Sequence, residues 1–299
     1  MYELGPLIRR MRKQRNMTQE DLAFQINLDR TTLSKIEQGK SMPNSSTLHL
    51  LFQKLGYDPQ GFGDYMLSKE EAEWERTKAT IEAHISRAEY SEAEAMLDVV
   101  ENSAIPQNTL KQYVLYYRGH ILLHTGRSTE ALDIFLQAMK TTLPSFNESH
   151  IKDYHLTHVE INTVNMLSSA YAVCGKTEKA IEVITALKEN FDHNCQDRNL
   201  WGKRYPLIIY HLTRYLCLAK RHSEALELCA EGRKSAVSGY SSYLPFIALN
   251  EAYCYAELGN HAQSKKLFQE VYHTFKLFDL PTNAEAVKRD AKKYVDLDL

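Results

Sequence analysis

A motif that recurs five times between residues 86 and 268 constrains the fold of this chain more than any other feature. Each copy has a residue suited to a tight turn, a small residue five positions later and usually a large apolar residue four positions after that. The turn residues are Ala88, Gly126, Gly175, Lys220 and Gly259, and the small residues are Ala93, Ala131, Ala180, Ala225 and Ser264. Successive turns are 38, 49, 45 and 39 residues apart. A period in this range is typical of a solenoid built from helix pairs.

Composition agrees with an all-helical protein. The 299 residues include only 12 Gly and 8 Pro, fewer than a turn-rich β or α/β protein of this length normally uses. The N-terminus is charged and has no apolar signal sequence, and no run of about 18 apolar residues is present, so we expect a cytoplasmic protein that does not cross a membrane. Five cysteines without a CxxC pair indicate reduced core thiols, with neither a disulfide framework nor a zinc site.

Before the repeats, four apolar stripes at helical spacing predict a compact helical domain. We expect helices at about Gly5–Arg15, Gln19–Ile26 and Arg30–Gln38, and a fourth after a cap at Asn44 or Ser45. A left-handed cap is expected at Gly39. The glycine- and proline-rich stretch 56–63 ends this region, and Ser68 with Glu71 forms a capping-box pattern that starts the next helix.

The sequence therefore predicts three parts. Residues 1–66 form the N-terminal domain and its linker, residues 67–281 form a right-handed α-solenoid of about five helix pairs, and residues 282–299 form a C-terminal capping helix. A net charge of −2 excludes a uniformly basic surface, but the first 40 residues carry eight basic and five acidic groups. This bias permits a basic face on the N-terminal domain.

The N-terminal region resembles the Cro/C1-type helix-turn-helix domain. The resemblance lies in the segment 18–23 (TQEDLA) and the segment 31–39 (TTLSKIEQG), which have the expected spacing over about 55 residues. It implies that the second helix of the motif enters the major groove of DNA.

The residues expected to contact DNA fall into two groups. Those expected at base edges are Arg30, Thr31, Thr32, Ser34 and Lys35, because they lie on the face of the second helix opposite Leu33 and Ile36. Gln19, at the start of the preceding helix, is placed to hold a phosphate with that helix's amides, and Lys40, Ser41 and Asn44 are candidates for further backbone contacts. The alternative is that this domain keeps the fold for contact with another protein.

The repeats resemble tetratricopeptide repeats (TPRs). Besides the alanines after the turns, the resemblance lies in Ser168 and Tyr171 before Gly175 and in Gly119 before Gly126. The two domains in this order, in a chain near 300 residues, resemble the peptide-pheromone receptors of Gram-positive bacteria (the Rgg/PlcR/NprR/PrgX group). That resemblance implies a cytoplasmic, homodimeric, quorum-sensing transcription regulator that binds operator DNA and a short linear signalling peptide.

Counting back from each turn residue gives the side chains expected in a peptide groove. They are Tyr113, Tyr116, His120 and His124; Asn162, Asn165 and Ser169; Tyr210, Arg214 and Cys217; and Phe246, Leu249, Asn250 and Tyr253. Asn162 and Asn165 are the leading candidates, because an amide can pair with a peptide backbone of any sequence, and we expect both to face solvent. The alternative is that these tyrosines and asparagines only pack the repeats.

No enzymatic or cofactor-binding pattern is present. The sequence has no nucleophile-elbow, zinc-protease or phosphate-loop motif, and His150, His155 and His158 lack a partner at metal-ligand spacing. The chain is therefore predicted not to be an enzyme and to bind neither metal nor cofactor. The main alternative to a peptide-responsive regulator is a helix-turn-helix regulator whose repeats only dimerise or bind another protein.

Overall fold

The computed structural model describes residues 4–56, 69–101, 107–194, 198–238 and 241–299. Within these ranges the chain is helical and contains no β-strand. By their internal contacts the residues form two compact units, Met1–Met96 and Leu97–Leu299. In the part of the chain that the structure describes, no helix is both long and apolar enough to span a bilayer.

The first unit begins with four short helices whose apolar faces meet in one core. They are α1 (Leu4–Gln14), α2 (Gln19–Gln25), α3 (Arg30–Glu37) and α4 (Ser45–Leu55). Thr18 and Asp21 form a capping box at the start of α2, and Asn44 caps α4 by accepting from the amide of Thr47. The predicted left-handed residue at Gly39 is confirmed, with φ of 69°. Each predicted helix agrees with the structure to within one residue, because its apolar stripe and its cap lie close together in sequence.

The repeats follow as helix pairs. The first pair is α5 (Lys69–Ser86) and α6 (Tyr90–Glu101), in which the unit boundary falls; the others are α7 (Gln107–His124) with α8 (Ser128–Thr142), α9 (His158–Val173) with α10 (Thr177–Asn194), α11 (Arg198–Leu218) with α12 (His222–Ser238), and α13 (Leu244–Glu257) with α14 (His261–Leu277). A final helix, α15 (Pro281–Val295), packs against α13 and α14. A short 3₁₀ helix at Glu148–Asp153, which the sequence analysis did not predict, fills the connection between α8 and α9. The predicted capping box of Ser68 and Glu71 lies outside the described residues.

The recurrent motif has the physical basis that the sequence predicted. All five turn residues have positive φ: Ala88, Gly126, Gly175, Lys220 and Gly259. The small residue five positions later is fully buried in every copy: Ala93, Ala131, Ala180, Ala225 and Ser264. A small side chain is required there because the two helices of a pair approach closely.

Close approach of the two helices of a pair is also seen at Gly119 of α7. A Cβ at this position would lie 2.6 Å from the ring of Phe135 on α8, so a larger residue could enter only if the ring moved. Phe135 belongs to the largest apolar core of the second unit, which joins α7 through α13. Helix α7 is thereby packed closely against α8, which matters because α7 lines one of the pockets described next.

Candidate DNA-binding surface and repeat pockets

Helix α3 presents a polar face outward and anchors itself through an apolar one. Leu33 and Ile36 are buried in the core of the first unit. The side chains predicted to read DNA lie on the other face, where Arg30, Thr31 and Lys35 are exposed and Thr32 and Ser34 are half-buried. This face therefore combines one guanidinium, one ammonium and three hydroxyl groups within two helical turns.

A buried ion pair fixes α3 against α1. The Arg12 guanidinium donates to both carboxylate oxygens of Glu37, with Nε–Oε1 and Nη2–Oε2 distances of 2.6 and 2.8 Å, and it also donates to the carbonyl of Met17 at 2.7 Å. Gln19 Nε2, at the start of α2, donates to Glu37 Oε2 at 2.8 Å. One carboxylate therefore ties together the three helices that orient the predicted DNA-reading face.

The protonation equilibrium of Glu37 reflects this pairing. Burial by itself would raise the pKa of the carboxyl group, but the hydrogen bonds from Arg12 and Gln19 outweigh it, and the pKa lies below its ordinary value. Glu37 is thus ionised at neutral pH and its buried charge is compensated. The sequence analysis included Glu37 in the motif but gave no role to Arg12, because a pair 25 positions apart has no local signal.

Of the residues predicted to contact DNA phosphates, some already make hydrogen bonds within the protein and others are exposed. Gln19 is half-buried, and one of its amide hydrogens is engaged by Glu37. The first turn of α2 also carries Glu20 and Asp21, which disfavour an anion near that helix's amides. Asn44 uses its side chain as a helix cap, whereas Lys40 is exposed after the turn at Gly39.

In the second unit, α7, α9 and α11 line a cavity of about 590 Å³, here called the central pocket. Eight of the residues predicted to face the peptide groove lie along it: Tyr116, His120, His124, Asn162, Asn165, Ser169, Tyr210 and Arg214. A second cavity of about 510 Å³, here called the C-terminal pocket, is lined mainly by α11 and α13 and includes the predicted Phe246, Asn250 and Tyr253. The two pockets share Tyr210, Arg214 and Leu218, so they adjoin along α11.

Tyr113 is the predicted groove residue that lines neither pocket. Its ring stacks on that of Tyr117 with centroids 6.4 Å apart. Residue 113 lies one turn before Tyr116, nearer the start of α7 than the residues that line the central pocket. Apart from Tyr113, the side chains obtained by counting back from the turns thus line one of the two pockets.

Several polar atoms in the pocket walls have no partner. Among the described residues, the buried side-chain nitrogen and oxygen atoms without a hydrogen bond are Nδ1 of His120, Oδ1 of Asn165 and Nδ1 of His222. His120 and Asn165 line the central pocket, and His222 lines the C-terminal pocket. Because an unpaired buried polar atom is unfavourable, these three atoms stand out among the residues that line the two pockets.

Positive charge in the central pocket comes from arginine. Burial, together with nearby His124, lowers the pKa of His120 to about 4, and burial, together with Arg214, lowers that of His211 to about 3. Both imidazoles are therefore neutral at pH 7. The described residues that line this pocket include Arg204 and Arg214 but no carboxylate.

One sequence prediction about the groove asparagines needs correction. Asn165 does not face solvent: it is buried, with 3% of the residue exposed, although it lines the central pocket. Asn250 is also buried, and its amide donates to the carbonyl of Tyr210 and to the hydroxyl of Thr213, at 3.1 and 2.8 Å. Asn250 thus joins α13 to α11 through both amide hydrogens.

Other predicted groove residues also make internal hydrogen bonds. Ser169 lies 2.9 Å from the hydroxyl of Tyr215, which in turn lies 3.0 Å from Nδ1 of His211. Arg214 donates to the hydroxyl of Tyr210 at 3.0 Å. These contacts link α9 with α11 and order the wall that the two pockets share.

Comparison with known proteins agrees with this architecture. Residues 8–62 match the sequence model of the helix-turn-helix family. The structure of PlcR from Bacillus thuringiensis in complex with the peptide PapR7 and DNA is similar with a TM-score of 0.74, at 15% sequence identity, over 96% of this chain and 99% of that one. The SHP pheromone receptor Rgg2 from Streptococcus dysgalactiae gives 0.66 at 13% identity over 98% and 100% of the two chains.

A third similar structure is ComR from S. thermophilus in complex with DNA and its signalling peptide ComS. Its TM-score is 0.54 at 12% identity, over 97% of this chain and 98% of that one. No curated protein sequence matches the chain. These likenesses confirm the fold, a helix-turn-helix domain followed by TPR-like repeats, and the structural resemblance to the group that the sequence analysis named.

Proposed function

We propose that this protein is a cytoplasmic, homodimeric transcription regulator that binds operator DNA through α3 and a short linear peptide in its repeat pockets. The proposal rests above all on the central pocket, where the buried Nδ1 of His120 and Oδ1 of Asn165 have no partner. Such atoms are satisfied when a ligand supplies a donor or an acceptor.

Support for DNA binding comes from α3. Its outward face carries Arg30 and Lys35, which can reach guanine O6 and N7 or a phosphate, beside hydroxyls that suit either groove edges or the backbone. Glu37, Arg12 and Gln19 hold this helix in place from behind. PlcR and ComR, which share the fold, were both solved with DNA.

Support for a peptide ligand comes from the shape and chemistry of the two pockets. They adjoin along α11 and together extend from α7 to α13, a span that fits an extended segment of several residues better than a single small molecule. Asn162 and Asn165 offer amide groups to a peptide backbone, whereas Tyr116, Tyr210 and Phe246 offer rings to its side chains. PlcR and ComR were also solved with peptides.

The charge of the central pocket indicates which peptides fit. Arg204 and Arg214 line it without an accompanying carboxylate among its described residues. A peptide with a carboxylate, either at its C-terminus or in an acidic side chain, would supply the missing counter-charge. A strongly basic peptide would be excluded by the same two arginines.

A homodimer is expected because one small helix-turn-helix domain buries too little surface to hold an operator tightly. A two-fold dimer places two copies of α3 in successive major grooves, so the half-sites should lie about 10–10.5 bp apart or at a multiple of this distance. Peptide binding would alter DNA affinity by a coupling free energy of typically about 1–3 kcal/mol, and DNA would alter peptide affinity by the same amount. Light scattering of the free protein and of its DNA complex measures the stoichiometry.

The DNA assignment is tested with a duplex selected from a random-sequence pool by the full-length protein. Replacing Arg30 or Lys35 by alanine should weaken binding to that duplex by about 1–3 kcal/mol and relax base preference at one position. A matched control is the double variant Arg10→Ala/Lys13→Ala, which removes two exposed cations from α1 and should reduce affinity for all duplexes alike. If Arg30→Ala/Lys35→Ala binds the selected duplex as tightly as wild type does, α3 is not the reading helix.

The peptide assignment is tested by affinity selection from synthetic heptapeptides with free C-termini, followed by calorimetric titration of the best binder. Asn165→Ala should weaken its binding by about 1 kcal/mol or more, and Arg214→Gln should weaken it only when the peptide keeps its carboxylate. Gln137→Ala, an amide deletion at an exposed position of α8, serves as the control and should leave affinity unchanged. If no linear peptide binds, the repeats act in dimerisation or in contact with another protein, which is the alternative left by the sequence.

A further inference from the structure

Two cysteines and a histidine that are distant in sequence meet beside the C-terminal pocket. Cys217 is near the end of α11, His222 is the first residue of α12, and Cys254 lies in α13. One potential ligand atom from each residue lies within 4.8 Å of those of the other two, and no such group of three His, Cys, Asp or Glu side chains occurs elsewhere among the described residues. Each of three helices thus contributes one potential metal ligand, and the three ligand atoms lie close together.

From this juxtaposition we propose that Cys217, His222 and Cys254 form a binding site for a thiophilic divalent metal ion, Zn²⁺ in the first instance. This proposal does not depend on whether a peptide binds in the pockets, although the site borders the C-terminal pocket. Its three protein ligands leave a fourth coordination position, which is open to the C-terminal pocket because Cys217 and His222 line that cavity.

The spacing of the two sulfur atoms favours a metal over a disulfide. Their Sγ atoms are 3.2 Å apart. Tetrahedral zinc with Zn–S bonds of about 2.3 Å requires two sulfurs about 3.8 Å apart, whereas a disulfide requires about 2.05 Å. The observed distance between the two sulfur atoms is therefore closer to the one that zinc requires than to the one that a disulfide requires.

The imidazole provides a second, independent observation. Nδ1 of His222 is buried and has no hydrogen-bond partner. A Cys217–Cys254 disulfide would leave that nitrogen unsatisfied. A metal ion among the three side chains explains why a histidine is placed there, because its ring nitrogens are good zinc ligands.

Charge balance also favours a divalent ion. On coordination each thiol passes its proton to solvent and becomes a thiolate. Two thiolates and one Zn²⁺ sum to zero, which avoids placing a net charge where Cys254 is fully buried.

A carboxylate on the same helix as Cys254 is already engaged. Glu251, one turn before Cys254 on α13, accepts from Arg233 of α12 at 2.8 Å. It is therefore not needed as a ligand. An ion held by α11, α12 and α13 would stabilise the wall of the C-terminal pocket and place a Lewis acid beside it.

The test uses the full-length protein, reduced and freed of metal with a chelator. Titration with Zn²⁺ against a chromophoric competitor should show one tightly bound equivalent. Replacement by Co²⁺ should give an ultraviolet thiolate-to-cobalt band and the intense visible bands of tetrahedral coordination. Cys217→Ser and His222→Gln, both at half-buried positions, should each weaken zinc binding at least ten-fold, whereas Cys174→Ser, a half-buried thiol at the end of α9, should not.

A third variant, Cys254→Ala, removes the fully buried ligand and is the one most at risk of not folding. Circular dichroism of each variant shows whether it is folded, so Cys217→Ser and His222→Gln still test metal binding if Cys254→Ala is unfolded. Loss of the cobalt bands in a folded variant supports the site. The proposal is overturned if the reduced wild type binds no more zinc than Cys217→Ser does. It is equally overturned if the cobalt spectrum lacks the thiolate band. The same holds if mild oxidation forms a Cys217–Cys254 disulfide while the reduced protein does not bind zinc.

Discussion

Among their described residues, the two units of this protein differ in whether they contain buried polar atoms without a hydrogen-bond partner. In the first unit, the buried carboxylate of Glu37 receives hydrogen bonds from Arg12 and Gln19 and is fully compensated. In the second unit, the buried polar atoms of His120, Asn165 and His222 have no partner, and all three belong to residues that line a pocket.

On the proposed function, this difference separates the DNA-reading surface, which is rigid, from the peptide-binding surface, which has hydrogen-bonding atoms available for a ligand. A satisfied buried ion pair fixes the relative positions of helices and is strongly unfavourable to break. An unsatisfied atom lowers stability until a ligand arrives, and the free energy that is recovered then contributes to affinity. The distribution of satisfied and unsatisfied groups therefore agrees with the proposed division into a fixed surface on the first unit and a binding surface on the second.

The largest effect is expected when the compensated pair of the first unit is broken. Glu37→Ala leaves the Arg12 guanidinium buried without a counter-charge, so the free energy of unfolding of this unit should fall by about 3–5 kcal/mol. Glu20→Ala is the matched control, because the Glu20 carboxylate is 74% exposed and lies 3.7 Å from Arg30. Urea denaturation of the two variants measures the difference, and similar midpoints would contradict the assigned role of Glu37.

A smaller loss is expected from apolar crowding in the second unit, where tight packing holds the pocket-lining helices. Gly119→Ala places a Cβ against the ring of Phe135 and should destabilise the repeats by about 1–3 kcal/mol, although alanine is the better helix former. Adding Phe135→Leu should recover part of this loss, because the leucine withdraws atoms from the contact. Thermal unfolding of the single and double variants checks the coupling; additive losses would show that the crowding is not at this ring.

Acid should weaken the first unit through the same carboxylate. The pKa of Glu37 is lower in the folded chain than in the unfolded one, so its contribution is fully present above the unfolded pKa of about 4.3 and is lost as pH falls through the folded value. Stability measured from pH 6 to pH 3 should decline less steeply in Glu37→Gln than in wild type. An unchanged acid limb in this variant would assign the pH dependence to other carboxylates.

The features that could be predicted from sequence are those whose signal is local or periodic. The helices of the first unit follow from apolar stripes and nearby caps such as Thr18 and Asn44. The repeats follow because a positive-φ turn and a small residue recur at fixed separation, even where the turn residue is Lys220. The faces of α7, α9 and α11 that line the central pocket follow from the same count.

What the sequence did not predict depends on contacts between distant segments. Arg12 meets Glu37 across 25 positions. Cys217, His222 and Cys254 match no metal-ligand spacing because they come from three helices that are brought together only by packing. The burial of Asn165 was missed for the same reason, since helical periodicity assigns a face but not how deeply a neighbouring helix covers it.

The smallest expected effect gives the sharpest comparison, because it involves two buried asparagines in one unit. Asn190 donates from Nδ2 to the carbonyls of Ile151 and Tyr154, at 2.9 and 2.6 Å, so Asn190→Ala should lower the free energy of unfolding by about 1–3 kcal/mol. Asn165 is as deeply buried, but its Oδ1 has no partner, so Asn165→Ala should lower stability by less than about 1 kcal/mol in the absence of peptide. With a bound peptide the order should change: the peptide should stabilise wild type and Asn190→Ala by similar amounts and Asn165→Ala by less, because only Asn165 lines the central pocket. If the two variants lose the same free energy of unfolding without peptide, Asn165 is a structural residue and does not provide an unpaired group for a ligand.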